Sequence, residues 1–166
     1  RRVVGGVTII TTWHGRRPWG MTVSAFTPVC MDPPTILVCL HSRTVTASNV
    51  SKDGRFSVSL LSQSQLDISK LCSQAGEDKY LEAHVVPPEE LPARTSMPVL
   101  RDSVATFECN ASEIRPVGTH LVVIAPIVAI LAPASQNPLL YGFGKYMVGV
   151  EVGADFRTQE ASNVAG

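Results

Sequence analysis

The run LVVIAPIVAILAP, Leu121 to Pro133, is the most hydrophobic stretch of the chain and sets the first limit on what it folds into. A bilayer span needs about 20 consecutive apolar residues, and this run stops well short of that with Pro126 in its middle. Valine and isoleucine dominate it, and branching at Cβ favours extended backbone. The expectation is a core strand, not a membrane helix. Proline cannot donate to a ladder, so Pro126 predicts an edge or a bulge at that point.

Other segments repeat the theme on a shorter scale. RVVGGVTIITTW reads as strand, HGRRPWG as a turn, and GMTVSAF as a second strand pairing with the first. In GMTVSAF, Met21, Val23 and Ala25 alternate with Gly20, Thr22, Ser24 and Phe26, a second face too small and hydroxylated for an ordinary solvent side. Asp32-Pro33-Pro34 breaks the chain before TILVCL, a short apolar strand. Thr46 to Ser51 is a short helix candidate, with Gly54 placed to cap it. FSVSLL alternates Phe56, Val58 and Leu60 with Ser57 and Ser59, and SQSQLDISKLCSQ carries the strongest helical spacing. A long proline-rich connection follows from Ala75 to Pro98, and loops of that length are functional or packed on a neighbour. SVATFECNASEIRPV reads as one loosely alternating strand, GTH as a turn, and LLYGFGKYMVGV as a final strand. Residues 1–150 form one expected domain, and 151–166 an expected frayed tail. About seven short strands with one or two short helices argue for a small antiparallel barrel or sandwich.

Charge narrows the function classes. Fourteen basic and fourteen acidic residues cancel, which removes the electrostatic case for a nucleic-acid footprint or a polybasic membrane surface. Charged residues are only 17% and hydrophobic ones 45%, an apolar surplus that points to an oligomer. Cys30, Cys39, Cys72 and Cys109 have no C-x-x-C spacing, and His14, His41, His84 and His120 are scattered, so no zinc site is legible. Free thiols suit a reducing compartment. The chain opens abruptly at Arg1 with no signal-peptide pattern, and a cytoplasmic location is the expectation. Asn110-Ala111-Ser112 matches a glycosylation sequon, a short pattern common by chance.

The common nucleotide and hydrolase signatures are missing. There is no phosphate-binding G-x-x-x-x-G-K-[ST] loop, no G-x-S-x-G elbow and no H-E-x-x-H. Gly142-x-Gly144 lacks the third glycine and a following helix, so it is not a dinucleotide fingerprint. The adjacent Glu89 and Glu90 read as solvated.

GVTIITT, GMTVSAFTPVCMDPPTILVCL, DGRFSVSLL, VATFEC, GTH and LLYGFGKY occur in an order and spacing that resembles the flavin reductase-like family, over roughly Val3 to Tyr146. The resemblance implies a split antiparallel β-barrel with Greek-key character, usually a homodimer with flavin at the subunit interface. It implies reduction of FMN or FAD by NADH or NADPH, with reduced flavin released to a partner flavin-dependent monooxygenase. A flavin carrier or sensor of the same fold, and a barrel serving only in assembly, are the rival readings.

By similarity to the family, Thr22, Ser24 and Ala25 form the strand edge against the isoalloxazine, where small side chains let backbone N–H groups approach its polar rim. The bland alternative is a barrel strand with hydroxyls in solvent. Cys39, Leu40, Ser42, Arg43 and Thr46 match the segment that meets the ribityl chain and phosphate. Hydroxyls, helix-start N–H groups and a guanidinium suit an anion, although a capped turn with a solvated arginine fits as well. His120 matches a histidine beside the nicotinamide, where its ring would orient the carboxamide; a lone strand-start histidine is otherwise structural. Tyr141, Lys145 and Tyr146 match the C-terminal strand bordering the nicotinamide or phosphate, with barrel wall as the alternative reading of the tyrosines. Lys145 stands where arginine is frequent, exchanging a bidentate contact for a point charge. Two departures are visible: Ala125-Pro126 replaces a frequent Gly-Glu, and Ser59 replaces a frequent asparagine.

Overall fold

The structure is a computed structural model and describes residues 3–132 and 136–150. Its strands are β1 (Gly5–Gly6), β2 (Thr8–His14), β3 (Arg17–Val23), β4 (Phe26–Met31) and β5 (Pro34–His41). After α1 (Val45–Asp53) come β6 (Arg55–Leu60), α2 (Leu66–Ser73), β7 (Ala105–Asn110), β8 (Glu113–Val117), β9 (His120–Leu131), β10 (Leu139–Gly142) and β11 (Lys145–Val148). Among the described residues every strand pairing is antiparallel, in the order β3-β2-β6-β7-β9-β5-β4, with β8 added against β9 and a small separate sheet β1-β10-β11.

The long apolar run is the strand that joins the two halves. Residues 120–126 of β9 pair with β5, and residues 127–131 pair with β7 after a register shift opposite Glu108 and Cys109. Pro126 sits at this handover, opposite Thr35, so its missing N–H falls where β9 changes partners. The expected irregularity is there.

The sheet curls around one core. Ile10, Met21, Val38, Phe56, Val58 and Val123 from five different strands meet inside, and Ala47 and Val50 of α1 plug one end. Helix α1 is short but well ended: the Thr44 hydroxyl accepts from the Ala47 N–H at 3.1 Å, and Gly54 closes it at φ 68°. A second layer lies outside the barrel. Ile9 faces it from the opposite side of β2 to Ile10 and packs with Ile68 and Cys72 of α2, Leu81 and Leu100. The proline-rich connection therefore covers the barrel, and Ser57 and Ser59 are fully buried beneath it. Of the two expectations for so long a connection, functional or packed on a neighbour, Leu81 and Val85 show packing against the chain's own outer layer.

Five expected elements differ in their limits. The turn expected over HGRRPWG narrows to Gly15-Arg16, and Pro18 and Trp19 already belong to β3. The strand expected over GMTVSAF breaks at Ser24, between β3 and β4. The single strand over residues 103–117 is two, β7 and β8, pairing different parts of β9. The final strand is a hairpin, since Phe143-Gly144 turns the chain back at left-handed φ values of 51° and 75°. The strand expected over RVVGGVTIITTW also divides, at Val7, into β1 and β2, and these four splits give eleven strands among the described residues against about seven expected. The expected tail, 151–166, lies outside the described residues.

Candidate functional site

The break after β3 is the starting point. Thr22 still points to the outer layer, where its hydroxyl donates to the Ser69 carbonyl of α2 at 2.7 Å. Ser24 and Ala25 come next and are both exposed, at the point where the chain leaves one half of the barrel for the other. The Ala25 carbonyl accepts from the Cys39 N–H at 3.1 Å, which fixes this corner against β5.

Two cavities open beside it. One, of about 410 Å³, is bordered by Thr22, Ser24, Tyr141 and Tyr146, with Lys70 and Ser73 of α2 opposite. The other, of about 530 Å³, is bordered by Ser24, Ala25, Gly5 and the turn of the β10–β11 hairpin. Tyr141 borders both, and its ring meets that of Tyr146 edge-on at 5.1 Å. The Tyr146 hydroxyl lies 3.0 Å from Ser69 Oγ, so α2 anchors this tyrosine as well as Thr22. Lys145 is exposed and borders neither cavity; the lysine at the first cavity is Lys70. Sequence reasoning passed over Lys70 and Ser73, although three-residue spacing on an expected helix places two side chains on one face.

The segment after β5 forms a second group. Cys39 is half-buried, whereas the Leu40 side chain is fully buried in the barrel core, which leaves only its backbone to meet a ligand. Ser42 straps the turn to the loop before β9: its N–H and its hydroxyl both donate to the Thr119 carbonyl at 3.0 Å. Arg43 is exposed. Thr46, in the first turn of α1, is fully buried and its hydroxyl has no partner. An orphaned buried hydroxyl costs about 1–3 kcal/mol. A cavity of about 360 Å³ lies over this helix start, and Arg43, Thr44, Thr46 and Lys79 border it with Glu77 and Asp78. Burial holds the Lys79 ammonium below the ordinary lysine range, with Cys72 acting weakly the other way. Lys79 lay in the connection and carried no sequence signal.

His120 is exposed at the first position of β9. Its Nδ1 lies 2.9 Å from the Thr119 hydroxyl. Across the ladder it faces His41, with ring centroids 5.3 Å apart and planes at 70°. The Arg43 N–H donates to His41 Nδ1 at 3.3 Å, so the two histidines and the β5–α1 turn form one unit. His41, too, went unnoticed in the sequence, because only the register of β5 against β9 pairs it with His120.

The expected site residues thus fall into two groups. Thr22, Ser24, Ala25, Tyr141 and Tyr146 border the cleft at the strand break, while Ser42, Arg43, Thr46 and His120 gather at the far end of β5. Cys39 connects them, bonded to Ala25 and two residues, about 7 Å, along the strand from His41. Ser59 is remote from both, since its hydroxyl is buried against that of Thr106 at 2.9 Å. Among the described residues no cluster of histidine, cysteine and carboxylate side chains is arranged to hold a metal ion. Nor is any helix there long and apolar enough to cross a membrane.

Comparison with known proteins fits this architecture. A family model described as a flavin reductase like domain matches residues 1–149. The chain is 32% identical over 168 residues to the reductase component of 4-nitrophenol 4-monooxygenase/4-nitrocatechol 2-monooxygenase from Rhodococcus opacus, covering 98% of this chain and 87% of that protein. It is 34% identical over 129 residues to the NADH-dependent flavin reductase StyB of Pseudomonas fluorescens, covering 76% of this chain and 72% of that one. Among solved structures, the styrene monooxygenase flavin reductase from Pseudomonas putida S12 is similar at a TM-score of 0.77 and 29% identity, over 90% of this chain and 94% of that one. A split antiparallel barrel, a strand break beside open cavities and these matches agree: the chain belongs to the flavin reductase-like family.

Proposed function

We propose that this protein is an NAD(P)H:flavin oxidoreductase that reduces FMN or FAD and passes the reduced flavin to a flavin-dependent monooxygenase. The observation that carries the reading is the pairing of two features that β5 links: the exposed, nearly side-chain-free corner at Ser24-Ala25, bonded to Cys39, and the α1 start after β5, with a buried, unpartnered Thr46 hydroxyl beside Arg43. A flat heterocycle needs the first, and a phosphate group is satisfied by the second. The residues therefore fit a flavin nucleotide.

When both cofactors are bound, the nicotinamide supplies a hydride from C4 to flavin N5. The protein's part is to bind and orient. Ser24 and Ala25 would hold the polar rim of the flavin through backbone groups, with Thr22 and Cys39 behind them. Arg43, Thr46 and the first N–H groups of α1 would hold its phosphate, with Ser42 and the Leu40 backbone keeping the turn in place. His120 would orient the nicotinamide carboxamide, and Tyr141 and Tyr146 would border the nicotinamide side, where Lys70 rather than Lys145 supplies the cation. Negative charge on reduced flavin is favoured by nearby N–H groups and cations, so no proton donor of unusual acidity is needed.

A homodimer belongs to the same reading. Met31 on β4, Val117 on β8 and Ile130 on β9 are 83%, 59% and 59% exposed, an apolar surface a lone chain leaves in water. The test is direct. Purified protein is mixed with NADH or NADPH and with FMN or FAD, and nicotinamide oxidation is followed against a control without protein. Flavin-dependent oxidation is the expected result; flavin binding without turnover would make the protein a carrier, and neither would leave an assembly module.

A further inference from the structure

The β10–β11 hairpin carries a residue its turn does not favour. Gly142 pairs with Lys145, so the loop is two residues long, and both lie in the left-handed region: Phe143 at φ 51° and Gly144 at φ 75°. Such turns favour Asn-Gly or Asp-Gly, because a short polar side chain or none tolerates positive φ. A phenylalanine there is strained. Its ring does not recover the cost by burial in this chain, since Phe143 is 60% exposed.

The position of the ring explains what the strain is for. Phe143 borders the 530 Å³ cavity that Ser24 and Ala25 border from the other side. Apart from Tyr141 and Val3 the rest of that lining is glycine, and a Cβ placed on Gly5 or Gly144 would meet no atom within 4 Å. The cavity thus has an aromatic wall, Phe143 with Tyr141, against a glycine and alanine floor, in the size range of ligand pockets. Strain held beside a ligand site is a recurring feature of clamps.

We infer that Phe143 is a flavin-binding residue, its ring stacking on the flat heterocycle seated along Ser24-Ala25. The inference rests on the flavin reading above and adds a contact that reading does not contain. The turn gives up local stability so that an aromatic face stands at the mouth of the cleft.

Phe143→Asn separates the two effects, because it removes the ring and supplies the residue the turn favours. Wild type, Phe143→Asn and Phe143→Trp are compared as flavin-free protein by thermal melting and size-exclusion chromatography, then titrated with FMN and with FAD by fluorescence quenching. Phe143→Asn is expected to melt at the same temperature or about 2–4 °C higher, yet to bind flavin roughly tenfold more weakly. Phe143→Trp, which keeps an aromatic face, should bind within about threefold of wild type. Flavin binding by Phe143→Asn equal to wild type overturns the inference. So does a change in assembly state with flavin affinity intact, which would give the ring to a second copy, or a raised KM for the nicotinamide alone. Wild type that quenches no flavin overturns the flavin reading, and this contact with it.

Discussion

Thr22 and Ser24 lie two residues apart in one hydroxyl-bearing face, and their side chains meet different surroundings. Thr22 donates to the Ser69 carbonyl, while Ser24 is exposed at the strand break. Gly20, on the same face, is small for a packing reason: a Cβ there would meet Leu81 Cδ1 at 2.5 Å and Cys72 Sγ at 3.0 Å. The small face of GMTVSAF therefore combines close packing at Gly20 with an open position beside two cavities at Ser24, which the proposed function gives to the flavin. At the same scale, His120 gives a sharp expectation. His120→Ala should lower kcat/KM for the nicotinamide by about tenfold, through lost orientation, while flavin affinity by fluorescence titration changes less than about twofold. A parallel loss of both would remove the role given to this ring.

At the scale of elements, α1 is where fold and site share one feature. Its Thr44 cap is donor and acceptor at once: the hydroxyl donates to the His41 carbonyl at 2.8 Å and accepts from the Ala47 N–H. It thereby aligns the helix start with the turn carrying His41, Ser42 and Arg43. Thr44→Ala should cost about 1 kcal/mol, read as a lower urea midpoint, and should weaken FMN binding more than riboflavin binding, because the helix start suits the phosphate. Thr44→Ser should restore both. Equal losses for FMN and riboflavin would place the phosphate elsewhere. The hairpins were less legible as elements than this helix. Residues 103–117 and 139–150 each have one continuous strand-like composition, and only their partners, β9 and β1, show that the chain turns within them.

At the scale of the whole molecule, the two buried layers make stability depend on alkaline pH. Burial pushes the thiols of Cys72, in the outer layer, and Cys109, in the barrel core, up to about 12 from an ordinary 9.0. The folded state therefore holds these protons more tightly than the unfolded chain does. Their contribution is fully present below pH 9 and is lost as pH rises from there toward about 12. Lys79, held below its usual range, acts in the opposite sense. Urea midpoints measured from pH 8 to pH 11 should fall more steeply for wild type than for a Cys72→Ala, Cys109→Ala variant; parallel curves would show that the thiols do not report burial.

The sequence by itself determined the class of fold and most of its elements. Period-two alternation in β6, Cβ branching in the β9 run, Gly54 after α1 and the Asp32-Pro33-Pro34 break all act through neighbours within a few residues, so they are readable locally. It also carried a family resemblance, and with it the candidate residues at Ser24, Arg43, Thr46, His120 and Tyr141. The tertiary structure alone decided how these residues group. The register of β5 against β9 sets His41 opposite His120, the curl of the sheet buries Leu40 and Ser59, and the covering layer brings Lys70 and Lys79 to the cavities. Those outcomes depend on pairings between segments tens of residues apart, which no local pattern encodes.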